Sequence, residues 1–160
     1  MAPLELAKLR NLFKLFSNDV GLLTSQYADG IQLKILNNEA GIYFGAVYEN
    51  AIAEELKAHG FKLYYFNSKK QGELDFVIKL NDRATPIEVK SGKSYSRHSA
   101  LNNVLENTEY GIEEAFVLCN DNIAKKEKIN YLPIYMAMFI SDTEIGDMAY
   151  RIDLSNLKSR

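Results

Sequence analysis

Hydrophobic positions along the chain fall into a few regular runs. The longest lies between Ile42 and His59, where apolar residues recur at three- and four-residue intervals, and Gly60 follows where a helix typically ends. Three further runs have the alternation typical of β-strands, at residues 61–66, 73–80 and 85–90. Asn81 and Asp82 predict a tight turn that joins the last two strands into a hairpin.

The second half of the chain predicts further elements of both kinds. A helix is expected over residues 97–106 and a buried strand over 114–119. The apolar run 129–140 contains Pro133, which cannot donate a hydrogen bond inside a sheet. We therefore expect a strand, a break and another short element in that run.

The beginning of the chain is harder to interpret. Apolar residues are dense over 4–16, which favours a helix at the start and a short strand over 13–16. Residues 17–19 offer an N-cap for a short helix that contains Val20. Residues 27–38 are expected to form a loop, apart from a brief alternation over 31–35.

This order of elements predicts an α/β fold with a mixed central β-sheet flanked by helices. The 160 residues are the usual length of one domain. We expect residues 1–40 to be a leading segment that packs on the core, and residues 41–160 to form the domain itself.

Composition narrows the class of protein. The net charge of −2 gives no global basic field, so DNA binding would need a local basic patch. Cys119 is the only cysteine, which excludes an internal disulfide and fits a reducing compartment. No apolar stretch approaches the ~20 residues that span a bilayer, and the first residues lack the order of a signal peptide. We expect a cytoplasmic location and no membrane partner.

The most informative chemistry lies on the predicted hairpin. Strand alternation places Glu73 and Asp75 on one face, opposite Leu74 and Phe76, and places Glu88 together with Lys90. Three carboxylates on one face repel one another unless a cation offsets their charge. Carboxylate oxygens suit Mg²⁺ or Mn²⁺, and a nearby lysine can orient or help to deprotonate a water molecule.

The same residues also fit a simpler interpretation. Charged residues mostly lie in water, and two adjacent strands can carry a solvated face with a cross-strand ion pair. The residues alone favour the solvated face, and the metal-site interpretation stays open.

Several motifs in the same order resemble the DUF4143 family. The resemblance is carried by Gly45-Ala46-Val47-Tyr48-Glu49-Asn50, Glu73-Leu74-Asp75-Phe76-Val77 and Pro86-Ile87-Glu88-Val89-Lys90-Ser91-Gly92, with support from Phe13-Lys14-Leu15-Phe16 and Pro133-Ile134-Tyr135. That family is the C-terminal domain of a group of prokaryotic AAA-type ATPases and is similar to the PD-(D/E)XK nuclease superfamily. The resemblance implies a restriction-endonuclease-like core.

The resemblance also implies roles for individual residues. Glu49 matches the acidic residue of the first core helix, and Asp75 matches the aspartate of the second strand. Glu88 and Lys90 match the E-x-K pair, in which Glu88 and the Val89 carbonyl would help to hold the metal. Lys90 would act on the attacking water.

Other charged residues match the predicted site less well. Glu73 is an additional acid that could support the metal ligands, whereas Glu55 lies nearer the apolar stripe of its helix and could serve a structural pair. We therefore favour Glu49 over Glu55 as the helical ligand. Lys93 and Arg97 lie on a basic stretch that could contact DNA phosphates or form a solvated loop.

Two functions follow from the resemblance. The first is a Mg²⁺- or Mn²⁺-dependent endonuclease acting on DNA, and the second is a non-catalytic module that binds DNA or protein for an attached ATPase. Residues 91–94 imitate the end of a phosphate-binding P-loop, but Ile87 stands where the first glycine is needed, so no ATP site is expected in this chain. The ATPase domain is expected as a partner, within the same full-length polypeptide.

Overall fold

The computed structural model describes residues 12–27, 30–37, 39, 43–92 and 94–142. These residues form a six-stranded mixed β-sheet with helices on both faces. In chain order the strands are β1 (Tyr64–Ser68), β2 (Gly72–Leu80), β3 (Arg83–Lys90), β4 (Ala115–Cys119), β5 (Ala124–Lys126) and β6 (Ile129–Pro133). The α-helices are α1 (Val20–Ser25), α2 (Ile31–Leu36), α3 (Tyr43–Ala58) and α4 (Ser99–Glu106).

The sheet has an antiparallel half and a parallel half. Its strand order is β1-β2-β3-β4-β6-β5. The first three strands form an antiparallel meander, whereas β3, β4 and β6 run parallel to one another and β5 pairs antiparallel with β6. A parallel neighbour needs a crossover, and α4 lies in the connection from β3 to β4. The predicted mixed sheet is confirmed.

Two apolar cores hold the helices to the sheet. On one face, Ile52 and Leu56 of α3 pack with Phe76 of β2. On the other face, Leu101 of α4 packs with Val117 of β4. Burial of one such side chain stabilises the fold by about 1.5–3 kcal/mol, so both faces of the sheet are firmly covered.

Local backbone geometry explains two of the confirmed boundaries. Gly60 has φ of 84°, a left-handed conformation that glycine adopts without a steric penalty, and α3 ends just before it. Asn81 and Asp82 have φ of 48° and 61°, and such consecutive left-handed residues are typical of two-residue hairpin turns. The predicted hairpin of β2 and β3 is therefore confirmed.

The predicted break at Pro133 is also confirmed. Strand β6 ends at this residue, and a 3₁₀-helix follows over Ile134–Phe139. The short helix α1 begins after Asp19, whose Oδ1 accepts a hydrogen bond of 2.7 Å from the Leu22 backbone N–H. Within the described ranges, no helix is long and apolar enough to cross a membrane.

Three expectations are corrected. Residues 31–36 form helix α2. The sequence did not predict this helix, because six residues are too few for alternation to separate a strand from a helix. Residues 13–16 form no strand. Strand β1 begins at Tyr64, three positions later than expected. The helix expected at the start of the chain falls mostly on residues outside the described ranges.

Candidate functional site

The candidate site lies where β2 and β3 separate. Their antiparallel pairing runs from Leu80–Arg83 to Phe76–Ile87, and beyond Ile87 strand β3 continues beside β4. Asp75 stands at this fork, and its Oδ2 accepts a hydrogen bond of 2.8 Å from the Val89 backbone N–H. The aspartate therefore satisfies a backbone group that strand pairing with β2 leaves open.

A register shift in the sheet sets the direction of Asp75. Tyr64 pairs with Val77 and Phe66 with Leu74, so two residues of β2 lie opposite the single residue Tyr65. An extra residue of this kind reverses the alternation of side chains. Leu74 accordingly lies in the α4 core and Phe76 in the α3 core, and the prediction that they share one face is wrong.

Glu88 and Lys90 project from β3 away from the α3 core. Their neighbours Ile87 and Val89 belong to that core, so strand alternation sends the two charged side chains to the other face. Glu88 is 6% exposed, and Lys90 Nζ donates a hydrogen bond of 2.6 Å to its Oε1. The second carboxylate oxygen, Oε2, is buried without a hydrogen-bond partner among the described residues.

The surroundings of Glu88 disfavour its ionised form. Burial raises the pKa of this carboxyl, and the negative charge of Asp75 raises it further. The Lys90 ammonium acts in the opposite direction but does not cancel the rise. The surroundings of Glu88 therefore compensate a negative charge on this carboxyl only partly.

Glu49 approaches Asp75 from helix α3. Burial raises the pKa of the Glu49 carboxyl, and the charge of Asp75 raises it further, while Lys14 lowers it. Asp75 thus acts electrostatically on both Glu49 and Glu88. Three of the predicted metal ligands are coupled through this one aspartate.

Lys14 is a member of the site that the sequence did not identify. Its Nζ lies 2.9 Å from Glu73 Oε1, 3.5 Å from Asp75 Oδ1 and 3.6 Å from Glu49 Oε2. Burial alone would lower the pKa of Lys14, but the hydrogen bond to Glu73 and the carboxylate charges outweigh it and raise the pKa. The available signal was one lysine within the otherwise apolar run 12–16.

The remaining predicted residues lie outside this group or at its rim. Glu73 joins the site through Lys14 and also accepts a hydrogen bond of 3.3 Å from Asn67. Glu55 instead contacts His59, with 3.2 Å between Oε1 and Nε2. Arg97 is exposed on the connection between β3 and α4, and Lys93 lies outside the described residues.

The carboxylates of this region fit a hard divalent cation only in part. Carboxylate oxygens are preferred ligands of Mg²⁺ and Mn²⁺, and Glu88 Oε2 is a buried acceptor without a partner. The present arrangement is incomplete, however, since no three His, Cys, Asp or Glu side chains in the described part of the chain gather into a group that could hold a metal ion. Lys14 lies among Glu49, Glu73 and Asp75 instead.

A cavity of about 620 Å³ adjoins the site. Lys14 and Asp75 form part of its wall, and most of the remaining wall is aromatic or aliphatic, including Phe13, Tyr65 and Phe66. Of the acidic group, Asp75 therefore borders this cavity.

One protein-family model matches the part of the chain that carries most of the acidic residues. The model of DUF4143, described as a domain of unknown function, matches residues 44–137, which is more than half of the chain. The match includes Glu49, Asp75, Glu88 and Lys90, and it excludes Lys14. No curated protein and no solved structure matches the chain significantly.

Proposed function

Because the chain belongs to the DUF4143 family, whose description assigns no function, we propose a function from the acidic site. We propose that the chain is a nuclease-like domain of the PD-(D/E)XK type that hydrolyses DNA phosphodiester bonds with Mg²⁺ or Mn²⁺. The observation that carries the proposal is the position of Asp75 at the fork of β2 and β3, coupled to both Glu49 and Glu88. A restriction-endonuclease-like core belongs to the same proposal.

Each residue of the site has a role in this proposal. Glu49, Asp75 and Glu88, together with the Val89 carbonyl, would hold the cation. When bound, the cation would supply charge stabilisation at the phosphate and lower the pKa of a coordinated water. Lys90, whose Nζ already lies 2.6 Å from Glu88 Oε1, would orient the attacking water or help to remove its proton.

We propose DNA as the substrate because its backbone phosphates would lie against the basic loop that follows β3. Arg97 is exposed on the connection that follows Lys90 and would contact a phosphate oxygen, with Lys93 nearby in sequence. The net charge of −2 makes such local contacts necessary. We further propose that the domain works in the cytoplasm as part of a longer polypeptide with an AAA-type ATPase domain.

A cleavage assay tests the reaction. The protein would be incubated with linear and branched DNA, with Mg²⁺, with Mn²⁺ or with a chelator. We expect cation-dependent cleavage that falls at least about a hundredfold in Asp75→Ala and in Lys90→Ala, because each removes a group acting on the reacting atoms.

Glu55→Gln is the matched control. It removes an acid from the same helix as Glu49, and Glu55 contacts His59 rather than the site. Cleavage should persist in Glu55→Gln and fall in Glu49→Gln. Cleavage that survives in both Asp75→Ala and Lys90→Ala would overturn the proposal.

A second candidate function is a non-catalytic module that binds DNA or protein for the ATPase. The observation in its favour is that Lys14 already neutralises part of the acidic group, so the carboxylates have a structural use without any metal. Absence of cleavage under all cation conditions, combined with retained DNA binding in a filter-binding assay, would favour this candidate.

A further inference from the structure

Strand β1 and the residues beside it form a basic and aromatic stretch at one edge of the sheet. Residues 61–71 contain three lysines, Lys62, Lys69 and Lys70, and no acidic residue, in a chain whose net charge is −2. All three lysines are exposed. Between them lie three consecutive aromatic residues, Tyr64-Tyr65-Phe66, each only partly buried. This edge therefore carries a local basic patch of the kind that DNA binding by an acidic protein requires.

The aromatic rings of β1 lie on both faces of the sheet. Tyr64 and Phe66 pack against the core that α4 covers, and the Phe66 ring meets the Tyr110 ring edge-on, with 5.8 Å between centroids. Strand alternation sends the Tyr65 ring to the opposite face, where Lys14 Nζ lies 5.7 Å from its centroid. A ligand that follows this edge therefore meets an aromatic ring on either side.

The cavity of about 620 Å³ lies against the same strand. Four consecutive residues, Tyr64, Tyr65, Phe66 and Asn67, belong to its wall. Its volume lies within the range of about 300–1,000 Å³ that small-molecule sites usually have. Most of the wall is aliphatic or aromatic, and a few polar groups interrupt it. This is the usual composition of a site that encloses an apolar body and orients it by its polar edge.

The charges in and around the cavity indicate how a ligand would lie. Asp75 and Glu109 are the acidic residues of the described wall, and their carboxylates repel a phosphate but can accept a hydrogen bond from the amino group of a base. Lys14, also in the wall, already has three carboxylate partners. The exposed Lys69 and Lys70 follow β1 outside the wall and attract phosphates. This distribution favours neutral bases inside the cavity and phosphates outside it.

We propose that β1 and this cavity form a binding surface for single-stranded DNA, with phosphates at Lys69 and Lys70 and bases stacked on Tyr65 and Phe66. The inference deepens the proposed function and rests on it, since both take DNA as the ligand. Bases inside a duplex are paired and stacked, so only an unpaired strand can place them in the cavity. Stacking and phosphate contacts tolerate any base, so the surface would bind without strong sequence preference. It would hold the strand beside Asp75, which borders the same cavity.

The opposite edge of the sheet provides a matched comparison. Strand β5 also carries two adjacent exposed lysines, Lys125 and Lys126. Glu127 follows them, however, and residues 120–128 contain no aromatic residue. Substitution of these two lysines removes the same charge as substitution at β1, but without a stacking partner in the same stretch.

Fluorescence anisotropy with a labelled strand of about 12 thymidines tests the surface on the whole chain, with a chelator present so that binding is measured without cleavage. We expect Lys69→Gln combined with Lys70→Gln to weaken binding roughly tenfold. The slope of log affinity against log salt should fall by about 1.4, because each phosphate contact contributes about 0.7. Tyr65→Leu should weaken binding roughly tenfold with little change in that slope, since it removes stacking and leaves the charge. Lys125→Gln combined with Lys126→Gln should bind like the parent.

Four outcomes of this experiment would overturn the inference. The first two are an affinity equal to the parent's in the variant with both β1 lysines replaced, and no binding by the parent itself. The third is equally tight binding to a blunt duplex, which would show that unpaired bases are not needed. The fourth is equally tight binding to poly-glutamate, which would show that charge alone attracts the ligand.

Photo-crosslinking of the unmodified chain keeps the test independent of folding in the variants. A strand that contains bromodeoxyuridine would be irradiated with the protein, and the crosslinked tryptic peptides would be identified by mass spectrometry. Trypsin cuts after Lys62 and Lys69, so the aromatic residues of β1 lie together on the peptide 63–69. We expect crosslinks on this peptide. Crosslinks confined to peptides from other parts of the chain would contradict the proposed surface.

The two proposals can fail separately. Binding of the single strand at β1 without cleavage under any cation condition would support the DNA surface and remove the nuclease reaction. Cleavage of DNA together with unchanged affinity in the β1 variants would support the reaction and overturn the surface.

Discussion

The charges on the two sides of Asp75 are balanced in different ways. Glu88 is buried on β3, and its counter-charge Lys90 stands two residues further along the same strand. Glu49 and Glu73 share Lys14, which belongs to a segment outside the sheet. The first pair is fixed by strand geometry, whereas the second depends on docking.

This difference separates charge balance from folding. The Glu88–Lys90 pair persists for as long as β3 remains in the sheet. The Lys14 contacts can be lost while the sheet stays intact, because local segments open with lower free energies than the whole fold. The following predictions test this contrast, beginning with the largest expected effect.

Lys90→Met should destabilise the protein more than Lys14→Met. Loss of one partner from a buried pair leaves an uncompensated charge, and because Lys90 is partly exposed we expect a cost of about 2 kcal/mol, below the ~3–5 kcal/mol of a fully buried pair. Lys14→Met should lower the free energy of unfolding by about 1 kcal/mol or less, since the partners of Lys14 are more exposed than Glu88. Urea unfolding at neutral pH measures both, and an equal or reversed order would refute the contrast.

Asn50→Ala should release residues 12–17 from helix α3. The Asn50 side chain is buried and hydrogen-bonds both backbone groups of Ser17. Its loss should lower the free energy of unfolding by about 1–2 kcal/mol. Trypsin should then cleave after Lys14 faster than in the parent. Asn102→Ala, an exposed position on α4, serves as the control. Equal cleavage rates in Asn50→Ala and the parent would show that Ser17 is held by other contacts.

Glu88→Gln should change the pH dependence of stability. The raised pKa of Glu88 means that the folded state retains a proton that the unfolded state releases, so this group lowers stability as pH rises above the ordinary glutamate pKa of 4.5. The variant should match the parent below that pH and become more stable above it, by an order of 1 kcal/mol, or a few degrees in Tm. Thermal unfolding across this range is the measurement. A variant less stable than the parent at neutral pH would show that the Lys90 contact dominates.

Glu55→Gln should have the smallest effect. Its contact with His59 joins side chains that are 40% and 24% exposed, and such pairs contribute about 0.5 kcal/mol or less. Mn²⁺ affinity should stay unchanged, whereas Glu49→Gln should weaken it. A calorimetric titration compares the two variants directly, and the reverse result would move the helical ligand to Glu55.

Periodic apolar runs made most of the fold predictable. Helix α3 and strands β2, β3 and β4 lie where the pattern expected them, because each carries enough buried apolar residues to mark its position in the sequence. Helix α2 was missed because six residues with exposed Leu33 and Leu36 carry too little pattern.

The site was only partly predictable for a physical reason. Alternation correctly paired Glu88 with Lys90, but it could not reveal the extra residue that turns Phe76 away from Leu74, since that shift arises from pairing with β1. Lys14 was missed because its partners are at least 35 positions away in sequence, and one lysine in an apolar run carries no information about long-range contacts.

The location of Lys14 outside residues 44–137 has a consequence for how relatives are sorted. Relatives could preserve all four motif residues and still differ in whether a lysine stands before the matched region. A classification based on the motif alone would group proteins whose acidic residues have a lysine counter-charge with proteins whose acidic residues lack one. Evolution could therefore tune the charge balance of this acidic group by changing one residue, with every motif position left untouched.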